Sequence, residues 1–243
     1  LDTQEGKRLI DSMDESIVEE VKELPSVDDP LENFLTYYEI DPNGRINVTS
    51  NLITGLYYCN EASYVYKDFG ADYFKESFVH QFETKIANSS GTYPNYATVW
   101  AVSNSVGSGG TRPGGWLYPP YAQAVGCFLY RQSSSDNRIY IRDYENGTGD
   151  QDYVPIQYNT FYYPRITRSG DTVQLAVFSN AERTTLVGSK SVTLTSGRKY
   201  RYLFATQSHN TNVTTYLSSV FQNLDLGISV MPWLWFDANT ILE

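Results

Sequence analysis

Cleavage of a glycosidic bond ordinarily uses two carboxylates that flank it, and alternate residues of one strand can supply such a pair. Period-two spacing then turns both onto one face, where acid and nucleophile can flank the same bond. The strand-like stretch HQFETKI (80–86) supplies Glu83 alone. The stretch RDYEN (142–146) places Asp143 and Glu145 on one face, but beside the turn sequence ENGTG, where charged side chains are expected in solvent. Of the two histidines, His80 shares a face with Phe78 and Phe82 and reads as a hydrogen-bonded core residue rather than a general base. His209 falls in SHNTNVT, a loop sequence. No G-x-S-x-G elbow, Walker loop or zinc-spaced Cys/His set occurs. No catalytic residue and no metal ligand is therefore assigned. DPNGR (41–45) hints at a calcium loop through Asp41 and Asn43, but its oxygen ligands stop there and it reads first as a turn. Asp150 and Asp152 are a similarly weak pair, so no cofactor is expected, with calcium the one thinly supported exception.

Binding chemistry is better represented. The stretch NSVGSGGTRPGGWLYPPYA (104–122) lies between two strand-like segments and is longer than an ordinary hairpin loop. It gathers Arg112, Trp116, Tyr118 and Tyr121, aromatic faces and a polar donor suited to stacking on and orienting a sugar ring. The same aromatics could instead clamp the loop to its own sheet or touch a neighbouring subunit.

The elements that must position these residues are mostly strands. Aromatics make up 15% of the 243 residues, with 21 Tyr, and short Val/Ile/Tyr/Phe/Thr runs are separated by Gly, Asn, Ser and Pro. Strands are expected at 34–40, 45–49, 52–58, 63–67, 77–86, 96–103, 123–131, 137–144, 160–168, 171–178, 190–194, 199–207 and 214–226. Turn signals without intervening helices make these antiparallel sheets packed face to face. One amphipathic helix is expected over 2–24, where Ile10, Met13, Ile17, Val21 and Leu24 share a face, Asp2 and Glu5 can cap, and Pro25 ends the run. The tail 227–243 is apolar, holds Trp233 and Trp235, and is too short and interrupted to span a membrane. Three parts follow: an acidic helical arm and linker (1–32), a sandwich (33–226) and an apolar tail (227–243).

Charge sorts the same way. Residues 1–32 hold eleven acids against three bases, leaving seventeen against fifteen for the remainder of a chain of net charge −10. That balance argues against nucleic acid as a partner. Cys59 and Cys127 sit in apolar strand contexts and read as buried thiols, although one bridge between them is possible. Sequons at Asn47, Asn88, Asn146 and Asn212 matter only in a glycosylating host. No signal peptide is evident, and a chain opening at Leu1 is expected to have a processed or trimmed start.

The segments EIDPNGRINVTSNLITGL (39–56), YVYKDFGADYF (64–74), HQFETKI (80–86), FYYPRITRSGDTVQLAVFSNAERTTL (161–186), KYRYLFATQSHN (199–210) and VFQNLDL (220–226) resemble the concanavalin A-like lectin/glucanase superfamily. Within it, the chain looks closest to a branch common in tailed-phage and environmental sequences. The resemblance covers residues 36–226 and implies an all-β jelly roll. It leaves activity open, because the superfamily includes lectins, hydrolases, lyases and structural modules.

Three readings follow. The first is a noncatalytic structural or adhesion module on a virion or extracellular surface. There the arm (Ile10, Met13, Ile17, Val21, Leu24) and the tail (Trp233, Trp235) would contact other copies of the chain or a virion shell protein. The second is a lectin-like protein that holds a surface glycan on the 104–122 loop. The third is a glycoside hydrolase or polysaccharide lyase with relocated acids. No membrane insertion is expected in any of them.

Overall fold

A computed structural model describes residues 31–59, 61–91, 94–106, 123–144, 149–208 and 214–227. The expected helix 2–24 with Ile10, Met13, Ile17, Val21 and Leu24, and the tail with Trp233 and Trp235, lie outside the described residues. After a short 3-10 turn at Phe34–Thr36 come fourteen strands: β1 (Tyr38–Ile40), β2 (Ile46–Val48), β3 (Leu52–Tyr58), β4 (Tyr64–Asp68), β5 (Ser77–Ser89), β6 (Asn95–Ser103), β7 (Ala124–Arg131), β8 (Asn137–Tyr144), β9 (Gln151–Ile156), β10 (Tyr163–Ser169), β11 (Thr172–Phe178), β12 (Leu186–Thr193), β13 (Tyr202–Ser208) and β14 (Tyr216–Asp225). They form two seven-stranded antiparallel sheets. Sheet A runs β1-β4-β13-β6-β7-β8-β9 and sheet B runs β12-β11-β10-β5-β14-β3-β2. The chain crosses between sheets repeatedly, so β13 returns to lie between β4 and β6, and β14 between β3 and β5.

Two expectations change. Residues 34–40 are not one strand: Asn33 caps the 3-10 turn by accepting from the Leu35 N–H at 3.1 Å. The turn drops Phe34 into the core, 5.4 Å from the Tyr37 ring and 5.5 Å from Phe221. β9 was not anticipated, because Asp152 and Pro155 both depress strand propensity. It is the edge strand of sheet A, the place where a proline without an N–H is tolerated.

Between the sheets lies the main core. Val65, Val125, Leu129, Ile139 and Leu203 from sheet A meet Ile53, Phe82, Ile86, Ile166, Leu175 and Phe221 from sheet B. His80 is part of it, as its spacing implied. The Trp100 indole N–H donates across the sheets to His80 Nδ1 at 3.1 Å, and Phe78 stacks on the imidazole at 4.4 Å. Burial pushes the His80 pKa down to about 3, so the ring is neutral and serves as an acceptor. Cys59 and Cys127 are buried and not joined by a disulfide.

Two arginines brace one end of this core. Arg168 is buried and donates to the carbonyls of Gly170 (3.0 Å), Lys75 (2.8 Å) and Arg198 (2.6 Å), tying three loops to the end of β10. Arg198 in turn donates to Asp143 at 2.7 Å in a buried ion pair. Asp143 was expected in solvent beside its turn. Instead it alternates inward on β8, and a buried carboxylate there is tolerable because a guanidinium meets it.

Candidate functional site

Alternation along sheet A leaves a second apolar cluster on its outer face, separate from the main core. Tyr64, Ala101, Ala124, Phe128, Tyr140, Tyr144 and Phe204 are buried there, with Tyr66, Tyr96, Tyr130, Tyr153 and Tyr202 half-buried around them. An outer sheet face normally carries polar side chains, so this carpet of rings calls for an explanation.

Register orders the face into rows. One row runs Tyr38, Tyr66, Phe204, Ala101, Gly126 and Arg142 across β1, β4, β13, β6, β7 and β8. The next, on one side, runs Tyr202, Ser103, Ala124 and Tyr144. On the other side lie Tyr64, Gln207, Thr98, Phe128, Tyr140 and Tyr153. The centre of the face, on β6 and β7, is therefore a strip of small residues: Ala101, Ser103, Ala124 and Gly126. With strands about 4.8 Å apart, that strip is about 10 Å wide. Its smallness is enforced, since a Cβ on Gly126 would stand 3.2 Å from the Ala101 Cβ and 3.6 Å from the Tyr144 ring.

Aromatic ladders border the strip, one along its β13 side and one at the end that Phe128 closes on β7. In the first, Tyr38 stacks on Tyr66 at 5.4 Å, and Tyr66 on Phe204 at 5.6 Å. In the second, Phe128 and Tyr140 stack at 4.6 Å, and Tyr140 meets Tyr153 at 5.0 Å and Tyr130 at 5.6 Å. Arg138 holds this second ladder together. It donates to the Tyr140 hydroxyl at 2.7 Å, lies 4.2 Å from the Tyr153 ring, and is itself fixed by two bonds to Asp136. Burial raises the pKa of Tyr64, Tyr96 and Tyr130, so these phenols remain protonated and can donate as well as accept. The arrangement can hold the apolar faces of ring-shaped ligands and bond their hydroxyls at the rim.

The expected chemical residues lie elsewhere. Glu83 faces outward on sheet B, accepting from Gln222 Nε2 at 2.8 Å and Asn223 Nδ2 at 3.0 Å, and is an isolated acid held by amides. Asp41 spends its oxygens on the Ile46 N–H (2.7 Å) and the Ser63 hydroxyl (3.1 Å), and Asp152 pairs with Lys190 at 3.1 Å. Among the described residues no group of three His, Cys, Asp or Glu side chains is placed to hold a metal ion. Arg112, Trp116, Tyr118 and Tyr121 lie outside the described residues, as do Glu145 and His209. The segment carrying those four residues joins β6 to β7, the two strands of the small-residue strip. Asn47 and Asn88 are exposed; Asn146 and Asn212 fall outside. No helix among the described residues is long and apolar enough to cross a membrane.

The tyrosine face was missed by sequence reasoning, although its signal is present. YVY (64–66), FLY (128–130) and YLF (202–204) alternate rings with aliphatic residues, and YIRDY (140–144) sets two rings four residues apart on one face. Such strands bury one face in the core and present rings on the other.

The two sheets stack as an all-β antiparallel sandwich of seven strands each. No family model matches the chain, and no curated protein matches it. Among solved structures it is similar to a legume lectin-like domain from Entamoeba histolytica, at 13% identity and TM-score 0.49, covering 79% of this chain and 89% of that one. A functionally unknown protein from Saccharomyces cerevisiae gives 11% identity and TM-score 0.49, covering 80% and 97%. An alginate lyase from Klebsiella pneumoniae gives 12% identity and TM-score 0.41, covering 63% and 60%. These are likenesses of architecture; ligand and activity have to be argued from the face itself.

Proposed function

We propose that this chain is a noncatalytic adhesion module that holds a glycan on the outer face of sheet A. The observation that carries the reading is the small-residue strip over β6 and β7, bordered by two aromatic ladders. Stacked rings supply apolar contact area at low entropic cost, and phenol hydroxyls with Arg138 fix orientation. The described acids on or beside this face, Asp68 and Asp136, are each engaged by an arginine, Arg201 and Arg138, so among the described residues no carboxylate pair flanks the strip. Display on a virion or other extracellular surface accords with the sequence resemblance, the acidic N-terminal segment and the tail then serving attachment. The test is a glycan array probed with the wild-type chain, Tyr130→Ala and Tyr153→Ala, alongside an assay for reducing-end release. Binding that drops at least tenfold in both variants, without product release, is the expected result. A wild-type chain that binds no glycan removes the reading.

A second reading, assembly, is favoured by one observation. Leu35, Tyr38 and Ile40 are exposed on or just before β1, Leu35 at 66% and Tyr38 at 62%, and Tyr38 continues into the Tyr66 ladder. Apolar surface of this kind suits contact with another copy of the chain or a shell protein. Light scattering on the wild type against Leu35→Glu would show a change of mass if that edge mediates self-association, with glycan binding unaltered.

A further inference from the structure

The arginines of sheet A and its surroundings differ in how well they are satisfied. Arg168 meets three carbonyls, Arg198 meets Asp143, Arg201 meets Asp68, and Arg138 meets Asp136 and Tyr140. Arg142 meets none of these. It is half-buried at the β8 end of the row that crosses the strip, 4.9 Å from the Tyr144 ring, and its Nε is shielded from water with no hydrogen-bond partner. It makes no ion pair among the described residues. On the same face Gln207, only 2% exposed, also has an unpartnered acceptor in its Oε1. Buried donors and acceptors are ordinarily paired, and leaving one unmet is costly unless something else meets it.

We infer, on the basis of the glycan-binding reading above, that the glycan is acidic and that Arg142 grips its carboxylate or sulfate group. A guanidinium presents a planar fork that matches either anion through two parallel bonds, and the surrounding rings lower the local dielectric and strengthen them. The sandwich does not repel such a chain, because the −10 charge resides mainly in residues 1–32.

Calorimetric titration of the full chain tests this. Alginate and polygalacturonate present carboxylates, dextran sulfate presents sulfates, and laminarin and carboxyl-reduced alginate are the neutral counterparts. At least one acidic polymer should bind tenfold or more tighter than the neutral ones, and which acidic arm responds identifies the anion. Arg142→Gln should lower acidic binding roughly tenfold to a hundredfold and leave neutral binding unchanged. Arg142→Lys, which keeps the charge without the fork, should fall between and guards against a glutamine variant that misfolds. Acidic binding unaffected by either variant, or equal affinity for neutral polymers, overturns the inference and leaves the glycan reading standing. A wild-type chain that binds none of the five polymers also overturns the inference, and the glycan array then decides the reading on which it rests.

Discussion

The two outer faces of the sandwich have the same strand number and opposite character. Sheet B presents Thr54, Gln81, Glu83, Lys85, Thr167 and Gln174, with Glu83 settled between two amides. Sheet A presents tyrosines and phenylalanines around a strip of Ala, Ser and Gly. Both sheets complete a shared core with their inner faces, so the core does not account for the difference. Polar residues on B are what solvent requires of a sheet face; rings on A cost solubility, a cost that the proposed glycan site accounts for.

That contrast predicts that stability and binding can be separated by position. The largest stability effect is expected inside. Asp143→Ala leaves Arg198 buried beside a missing carboxylate and should cost about 3–5 kcal/mol in denaturant unfolding, with glycan affinity of the folded fraction retained. Comparable loss of affinity in that folded fraction would break the separation.

Next comes a pH effect from the interior. His80 titrates near 3 when folded against 6.5 when free, so its contribution is complete above pH 6.5 and is lost as pH falls through that window toward 3. Unfolding free energy should drop there with a slope of about 1.4 kcal/mol per pH unit beyond that of a His80→Gln variant. A smaller effect is expected at the strip, where Gly126→Val crowds Ala101 and Tyr144. It should cost about 1–3 kcal/mol of stability and abolish glycan binding in a pull-down, because the side chain fills the floor. The smallest effect belongs to sheet B. Glu83→Gln disturbs one hydrogen bond, about 1 kcal/mol, and should leave the glycan-array profile unchanged. Loss of a hydrolytic or lytic activity on that substitution would return Glu83 to the chemistry.

Much of the fold was legible. Strand-period alternation placed thirteen segments, including His80 on the inner face of β5, because burial of one face imposes period two wherever a sheet covers a core. β9 escaped because an edge strand tolerates a proline that a central strand would reject. Asp143 was misjudged because adjacency to a turn says nothing of the Arg198 that arrives from fifty-five residues away. The candidate face was harder still. Each tyrosine could be assigned to one side of its strand, but the identity of its neighbours could not.

What the chain determined by itself is therefore local: strands, turns, the acidic first segment, and which side chains of a strand point the same way. Only the tertiary structure decided that Tyr66, Phe204, Ala101, Gly126 and Arg142 stand in one row, through the return of β13 between β4 and β6. The physical reason is that covalent geometry alternates side chains along a strand, whereas cross-strand neighbours are set by topology and by bulges such as those at Thr98/Trp100 and Phe204/Thr206.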